Sequence, residues 1–412
     1  MTSTRQAPVS NVESTPATGP GSPELAELLE RIAAGAHARE LEGTAPHEQV
    51  AWIRASGVSR LRLPLEQGGG GASLRQFFET LIALAAADCN LAHLLRVHYW
   101  AIEQHLIASD PVFAERGLSL IRDGAILGVG FSEQSSRPAG LQFDTEFTPD
   151  PDGGWRLNGT KFYCTGTLYS DYTQVWGAAP GGRIAGAIIP VDREGVSVED
   201  DWDGFGQRQT GSGTTRLENV RVSDAEFFDL GEPDGPWQPN HLAPFLQLYL
   251  QAVMAGILRS VRTDAIALVR GRRRGFSHAS VPQVPAQDPQ VLQVVGEIAA
   301  AAFAAEAIVL AAADTVQVAA DSTVDGVADG ALAAAAQLAT SEAKVVVDGL
   351  AHAAATKLFD AGGASATQAV RNLDRHWRNL RTISTHNPTF LKASAVGDHL
   401  VNGTGFPANG YF

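Results

Sequence analysis

The sequence predicts an α+β protein in which a helical N-terminal domain, a central all-β domain and a C-terminal four-helix bundle follow one another. Three changes of pattern along the 412 residues support this prediction. Apolar residues recur at helical spacing at first, short β-type segments punctuated by glycine follow, and long alanine-rich helical segments then return. The predicted parts are a disordered tail at 1–21, the helical domain at 22–124, the β-domain at 125–236, the bundle at 237–395 and a C-terminal tail at 396–412.

The first predicted helix begins at Ser22, which can cap it, and at Pro23, which suits the first helical position. Its apolar positions lie on one face, namely Leu25, Leu28, Leu29, Ile32, Ala33 and Ala36. The segment before it is rich in Ser, Thr, Pro and Gly, a composition typical of disorder. A glycine run within 63–74 interrupts the helices once, and one long helix is predicted over about 74–108.

The central domain consists of short segments rich in β-branched and aromatic residues. They include AILGVGF, TQVWGAA, IAGAIIPV, GVSVED and TTRLENVRV. The sequence Asp152-Gly153-Gly154 lies between two further segments of this kind and predicts a hairpin turn. The pattern therefore indicates an all-β domain placed between helical ones.

The C-terminal part contains four predicted helices, at roughly 241–273, 288–321, 327–360 and 364–383. Asp288 and Pro289 suit the cap and the first position of the second helix. Alanine-rich stripes let helices approach closely, so we expect these segments to pack as a bundle.

Composition narrows the partners of the chain. A formal net charge of −14 argues against general affinity for nucleic acid or anionic lipid. No apolar run approaches the ~20 residues that cross a bilayer, and no secretory signal is recognisable, so we expect a cytoplasmic protein without a membrane segment. The two cysteines, Cys89 and Cys164, indicate neither a disulfide framework nor a metal site. We therefore expect a small-molecule partner.

Five segments in family order resemble the acyl-CoA dehydrogenase family from about residue 22 onward. They are LPLEQGGGG at 63–71, GVGFSEQ at 128–134, WRLNGTKFYCTG at 155–166, GFGQRQTGSGTTRLENVRV at 204–222, and an arginine-rich segment that ends in Phe276 and is followed by a late Gly-Gly. The resemblance implies that the central domain is a β-barrel and that a flavin binds between the barrel and the bundle. It also implies a homotetramer built as a dimer of dimers.

The resemblance further implies which residues contact the flavin. Ser132 and Thr165 would lie beside the isoalloxazine ring, with Phe131 and Tyr163 near its face or edge. Hydroxyls and backbone amides at strand ends can satisfy the polar edge of a flavin. The alternative for each hydroxyl is an ordinary turn residue at the end of a strand.

Two more segments align with cofactor contacts of the family. Arg274 and Phe276 correspond to a segment that contacts a flavin phosphate of a neighbouring subunit, and a planar guanidinium suits phosphate. A solvated cationic helix end is the alternative explanation of this arginine run. Gly362 and Gly363 would let the backbone approach the cofactor, although a simple turn between helices would also use them.

His386 stands where dehydrogenases of this fold keep a catalytic carboxylate. Removal of a proton alpha to a thioester needs such a base, which the family places late in the last domain or on the first bundle helix. Neither 375–397 nor 240–263 contains Asp or Glu. An imidazole can instead donate a hydrogen bond to a peroxide or exchange a proton near neutral pH. The alternative is a surface histidine that caps a turn.

With both base positions empty, the sequence resembles the flavin-dependent monooxygenases of this fold, the group that includes dibenzothiophene monooxygenase and related sulfone and indole oxygenases. The resemblance implies reduced FAD or FMN from a separate flavin reductase, reaction with O2 to a C4a-(hydro)peroxyflavin, and transfer of one oxygen atom. The substrate would be small and aromatic or heteroaromatic, of the indole or organosulfur type. Two alternatives stay open: an FAD-containing dehydrogenase with an atypical base, and a non-catalytic flavin-binding protein.

His98 and Tyr99 are the remaining catalytic candidates, because the family's corresponding helix borders the substrate cavity. We expect His98 to be a second donor near the peroxide, the alternative being a buried histidine bound to a backbone carbonyl. His93 precedes it by five residues and would face elsewhere on one continuous helix. Aromatic residues on candidate pocket segments favour a planar, largely apolar substrate.

Overall fold

The computed structural model describes residues 18–134, 142–232, 238–273, 284–407 and 409–412. Arg274 and Phe276, both predicted to contact the cofactor, lie outside these ranges. Thr18 donates from its backbone N–H and its hydroxyl to the carbonyl of Ser56, at 2.9 and 2.7 Å. The described end of the segment expected to be disordered is therefore anchored to the helical domain.

Six α-helices form the N-terminal part of the described chain. They are α1 (Pro23–Glu42), α2 (His47–Ser56), α3 (Leu74–Ala87), α4 (Cys89–Leu94), α5 (Arg96–Ile107) and α6 (Pro111–Arg122). Ser22 caps α1 by accepting a hydrogen bond from Leu25 N, as predicted. The glycine run lies between α2 and α3, where the sequence placed an interruption.

The single helix predicted over 74–108 is wrong, because the chain breaks at Asp88 and again at Leu95. Asp88 adopts an extended conformation, and its carboxylate accepts hydrogen bonds from the N–H groups of Asn90 and Leu91. A short acidic side chain that binds nearby backbone in this way starts a new helix. As a consequence, His93 and His98 belong to different helices.

The central domain is a single sheet of eight strands in the ranges that the structure describes. The strands are β1 (Leu127–Gly130), β2 (Glu146–Pro149), β3 (Trp155–Lys161), β4 (Tyr172–Ala179), β5 (Arg183–Pro190), β6 (Val196–Val198), β7 (Thr215–Val222) and β8 (Phe227–Gly231). Their order is β6-β7-β3-β2-β4-β5-β8, and β1 pairs in parallel with β4. The antiparallel pair β2–β3 is joined at the predicted Asp-Gly-Gly turn.

Five α-helices follow the sheet. They are α7 (Leu242–Gly271), α8 (Pro289–Asp321), α9 (Gly330–Gly362), α10 (Asp374–Ser384) and α11 (Thr389–Asn402). The first three confirm predicted segments, but the predicted helix 364–383 is wrong in its first half. Two short 3-10 turns occupy that half, and Asn372, with φ of 45°, separates them from α10. The predicted tail 396–412 is helical up to Asn402.

Helix α7 is the centre of the bundle and packs against α3, α8 and α9. Gly256 permits the close approach to α3, because a Cβ at this position would lie 2.6 Å from Ile82 O. Helix α3 thus takes the place in the bundle that the sequence assigned to 364–383. The four-helix arrangement is confirmed with a different fourth member.

Helix α8 is the one helix in the described part of the chain that is long and apolar enough to cross a membrane, by length and composition. Its most apolar window has a mean hydropathy of 2.0. Glu297, Glu306 and Asp314 interrupt this helix, so the expectation that no uninterrupted apolar run approaches ~20 residues holds for it. Alanine dominates the helix, and alanine is both apolar and small enough for close packing against α7 and α9.

Candidate active site

His386 lies in the turn between α10 and α11, where its backbone N–H donates to Ile383 O at 3.1 Å. The residue keeps an exposed surface, although protein atoms surround its ring closely enough to reduce its hydration. Its Nε2 is 3.2 Å from Nη1 of Arg96, the first residue of α5. Because a guanidinium can only donate, Nε2 must accept, and the imidazole is neutral with its proton on Nδ1.

Arg96 is buried and incompletely satisfied. Its Nε donates to Leu246 O at 3.1 Å, and its Nη1 donates to the imidazole. Its Nη2 is also buried and has no hydrogen-bond partner among the described residues. Burial lowers the pKa of Arg96 to about 10, so the guanidinium stays charged at neutral pH.

Other cations surround His386 and shape its titration. Its pKa is held well below the ordinary value, first by loss of hydration and then by the positive charge of Arg96, with smaller effects from His93, Lys344 and Lys392. Lys344 is paired with Asp348 at 2.9 Å. Burial lowers the pKa of Lys392 to about 7, and its ammonium donates to Tyr411 O. The site is therefore electropositive around a neutral imidazole.

The C-terminal residues fold back over this site. Gln247 on α7 accepts a hydrogen bond from Asn387 Nδ2 at 2.6 Å and donates to Gly410 O at 2.7 Å. The Tyr411 ring consequently lies beside the His386 ring, with 6.4 Å between their centroids. The segment expected to be a tail forms one wall of the candidate site.

His93 borders the same site from α4. Its Nδ1 lies 2.9 Å from Gln207 Oε1, and its pKa falls to about 4 through burial and the charge of Arg96. Gln207, at φ of 53°, also donates from its backbone N–H to Asn379 Oδ1 at 2.6 Å. One residue of the β-domain thereby joins α4 to α10, directly before the His386 turn.

His98 and Tyr99 lie in the protein core. His98 Nε2 donates to Ser59 O at 2.8 Å, and its Nδ1 accepts from Leu127 N at 3.1 Å. The Tyr99 hydroxyl donates to Val58 O at 2.5 Å. Both side chains are buried, and every polar atom of each is already bound by backbone. This geometry corresponds to the structural alternative and argues against a catalytic role for either residue.

The residues predicted to contact the isoalloxazine ring come together where β1 and β3 end. Phe162 N donates to Ser132 O at 2.9 Å, and the Thr165 hydroxyl lies 2.8 Å from the Ser212 hydroxyl. Tyr163 has a positive φ of 57° and leaves 56% of its side chain exposed. The Phe131 ring packs edge-on against Phe143 and Trp176.

A strip of exposed aromatic rings continues this surface. Tyr163 meets Trp202 at its edge, and Phe205 stacks on Trp377 of α10, with 6.0 Å between the last two ring centroids. Exposed rings beside hydroxyl-bearing side chains fit a planar ring system with a polar edge. The residues present therefore fit a flavin.

Gly362 and Gly363 lie at the end of α9, where Gly363 has a positive φ of 62°. Arg272 Nη1 donates to Ala361 O at 2.9 Å beside them. A cavity of about 730 Å³ opens next to this corner and is bordered by α1, α7 and α10. Asn379 lines it and separates it from Gln207 and His93, so it is a different space from the His386 site.

Known proteins resemble this chain over almost its whole length. Residues 248–389 match the family model described as acyl-CoA dehydrogenase, C-terminal domain. The dibenzothiophene monooxygenase of Rhodococcus erythropolis is 31% identical over 403 residues, which cover 93% of each chain. This chain belongs to the flavin-dependent monooxygenases of the acyl-CoA dehydrogenase fold.

Two further members of these flavin-dependent monooxygenases agree with that assignment. The probable FMNH2-dependent monooxygenase SfnC of Pseudomonas putida is 29% identical, over 94% of this chain and 97% of its own. The FMN-bound crystal structure of TdsC from Paenibacillus sp. A11-2 has a TM-score of 0.85 at 30% identity, covering 94% of this chain and 99% of that one. The protein is thus an enzyme that uses reduced flavin and O2.

Sequence reasoning missed part of the site of this monooxygenase. It selected His386 but passed over Arg96, His93 and Lys392, and it preferred His98. The preference for His98 over His93 assumed one continuous helix, but the chain breaks at Leu95, between the two residues. The Asp88-Cys89-Asn90 sequence, with a capping residue inside an apolar run, was a signal that could have revealed the first break.

Proposed function

We propose that this monooxygenase transfers one oxygen atom to a small aromatic or heteroaromatic substrate beside His386, using flavin reduced by a separate reductase. The observation that carries the proposal is the neutral imidazole of His386, bound to Arg96. The resemblance implies that this residue stands at the position of the dehydrogenase base. When bound, reduced flavin supplies a C4a-(hydro)peroxide on reaction with O2, and it releases water once the oxygen atom is transferred.

The chain's own residues would control protons and water around that chemistry. The Nδ1–H of His386 is the group that can donate to an oxygen atom, since Arg96 occupies Nε2. The depressed pKa keeps this donor neutral, and the neighbouring cations favour negative charge on the oxygen that it contacts. The C-terminal residues Gly410 and Tyr411 would limit entry of water, which otherwise diverts the peroxide to H2O2.

A dehydrogenase mechanism fits these side chains poorly. Asp348 is the carboxylate beside the His386 turn, and it is buried, paired with Lys344 and hydrogen-bonded by the Thr389 hydroxyl. The carboxylate oxygen that accepts these two hydrogen bonds is thus occupied by neighbouring side chains of the protein. Among the described residues, we therefore find no support for the dehydrogenase alternative at this position.

The substrate class follows from the similar proteins and from the rings near the site. The Rhodococcus relative acts, by name, on dibenzothiophene, and TdsC has been crystallised with FMN and indole. Exposed aromatic surfaces at Tyr163 and Tyr411 would pack against a planar ring. We propose FMN or FAD as the flavin, and a homotetramer as the assembly that completes its phosphate site.

The proposal is tested by rapid mixing. Protein with photoreduced FMN or FAD is mixed with O2, with and without indole or dibenzothiophene, and flavin absorbance is followed while product is quantified. We expect an absorbing intermediate before oxidised flavin and one oxygen atom incorporated from ¹⁸O2. Direct return to oxidised flavin, with no product from any substrate, would remove the oxygenase assignment. Reduction of an electron-accepting dye when an acyl-CoA is added would support the dehydrogenase alternative instead.

A further inference from the structure

Arg96 carries a donor that the protein leaves unused. Two of its three nitrogens bind Leu246 O and His386 Nε2, but Nη2 is buried and unpaired among the described residues. The whole side chain is nine-tenths buried or more. A charged donor that is removed from water without a partner is destabilising, so such a group in a native site is completed by a water molecule, an ion or a ligand.

The charges around Nη2 call for a negative ligand. Lys392 is buried, and its described contacts are the Tyr411 carbonyl and the face of the Phe412 ring at 3.6 Å. Lys344 is neutralised by Asp348. Among the described residues, Arg96 therefore lacks a carboxylate partner, and Lys392, whose pKa is about 7, lacks one in the fraction of molecules that carry its charge. The protein as a whole has a formal net charge of −14. Local positive charge in an acidic protein favours binding of an anion.

The position of the donor restricts where that anion lies. Nη1 and Nη2 belong to one planar group, so a ligand on Nη2 is adjacent to the His386 imidazole held by Nη1. Tyr411 stands on the other side of the imidazole, and its backbone is fixed through Gln247 and Lys392. A ligand oxygen bound there would be next to the reacting centre of the proposed reaction.

We propose that Arg96 binds an acidic group of the substrate, a carboxylate or a sulfinate of a small organic acid, next to His386. This inference rests on the proposed function for the reaction, but the binding site itself does not depend on turnover. Under this proposal the preferred substrate carries a negative charge, in contrast to an uncharged heterocycle. It also assigns Arg96 the role of a substrate-binding residue.

Binding is measured first, by calorimetry on the flavin-free protein. The probes are benzenesulfinate and benzoate, each against a neutral counterpart of similar shape, methyl phenyl sulfone and benzamide. We expect at least one acid to bind ~10-fold or more tighter than its neutral counterpart, as a charge-assisted hydrogen bond provides. Comparison of the two acids distinguishes a sulfinate from a carboxylate. Equal affinity for acids and neutral counterparts would overturn the proposal.

Variants assign the effect to Arg96. Arg96→Met should abolish the preference for the acid, and Arg96→Lys should retain part of it. Arg262→Met is the matched control, because Arg262 lines the separate 730 Å³ cavity and should keep the preference. A preference that survives Arg96→Met contradicts the proposal. An Arg96→Met variant that keeps the acid preference but loses affinity for reduced FMN also contradicts the proposal, because the anion bound by Arg96 would then be the flavin.

Turnover separates this inference from the proposed function. If the wild-type protein binds acids through Arg96 but oxygenates none of the acids, indole or dibenzothiophene, the proposed reaction fails and the anion site stands. If it oxygenates indole and dibenzothiophene with no advantage for acids, the reaction stands and the anion site fails. Should Arg96→Met not fold, Arg96→Gln removes the charge while keeping a polar side chain and provides the same comparison.

Discussion

The hydrogen bond between Arg96 and His386 determines which imidazole nitrogen holds the proton. Without it, either tautomer could form, and Nε2 could not be assigned as an acceptor. Burial, and after it the positive charge of Arg96, lower the pKa of His386 and keep the ring neutral. A histidine in this arrangement is a hydrogen-bond donor through Nδ1 across the physiological range. Positive charge at the site is provided by Arg96 instead, and in part by Lys392, whose pKa is about 7.

The first prediction concerns His386. His386→Ala should lower product formation by ~10²–10⁴-fold, the usual effect of losing an acid–base group, and should divert O2 to H2O2. Flavin affinity and folding should remain close to wild type, because the side chain is exposed in a turn and its loss leaves no large apolar cavity. His37→Ala, an exposed histidine on α1, is the control. If His386→Ala couples O2 consumption to product formation as well as the wild type does, His386 has only a structural role in its turn.

The second prediction gives His98 a structural role. Its pKa is lowered to about 4 by burial, whereas an unfolded histidine titrates near 6.5, so its contribution to stability is present above pH 6.5 and is lost as pH falls toward 4. At pH 5 this loss is about 2 kcal/mol. His98→Ala should lower the free energy of unfolding by about 2–4 kcal/mol at pH 7, by leaving Ser59 O and Leu127 N unpaired.

Two measurements check this assignment. Denaturant unfolding at pH 7 and pH 5 should show a smaller pH effect in His98→Ala than in the wild type. Oxygenation per folded molecule should be unchanged. A folded His98→Ala protein that loses turnover by ~10²-fold would restore the catalytic interpretation.

At this scale the sequence led to a candidate residue where the argument depended on missing carboxylates. The lack of Asp and Glu in 240–263 and 375–397 identified His386 without any knowledge of its contacts. Arg96 could not be found in the same way, because its partner is 290 residues away in the sequence. A single arginine in an apolar segment gives no sign of what it faces. That information exists only after α5 and α10 have packed.

At the scale of elements, the loop 202–207 joins the β-domain to the bundle. Gly206 packs directly on α10, where a Cβ would lie 2.2 Å from Arg378 O. Gln207 then connects α10 to His93. Composition identified this loop as part of a family motif, and periodicity identified the long helices. Neither could locate the breaks at Asp88 and Leu95, because local capping there outweighs a continuous apolar pattern.

The third prediction tests that loop. Gly206→Ala should push 202–207 away from α10 and weaken flavin binding and turnover together, because the Cβ meets rigid backbone. Gly349→Ala is the control, since it lies inside α9 with open space around its Cβ and should be neutral or slightly stabilising. Flavin titration and thermal unfolding distinguish the two variants. Normal flavin affinity in Gly206→Ala would mean that the loop does not position the site.

At the scale of the whole molecule, the order of domains was predictable because each class of element has its own period in the sequence. The sequence did not predict what covers the surface of the bundle. Helix α8 packs on α7 and α9 with one side and leaves large apolar side chains on the other. Leu292, Phe303 and Val318 are all exposed there, and Phe303 leaves 72% of its side chain uncovered. A surface of this kind usually marks an interface.

The last prediction is that this side of α8 is covered by a second copy of the chain in a homotetramer, or at least a dimer. A cross-subunit phosphate contact by Arg274 requires such pairing of bundle domains. Phe303→Glu would place an unpaired charge in an apolar interface, so light scattering should find smaller species and flavin affinity should fall with them. Val324→Glu, equally exposed at 71% but in the turn after α8, should keep the wild-type assembly. A wild-type monomer with full activity would exclude the cross-subunit contact, because each flavin site would then be complete within one chain.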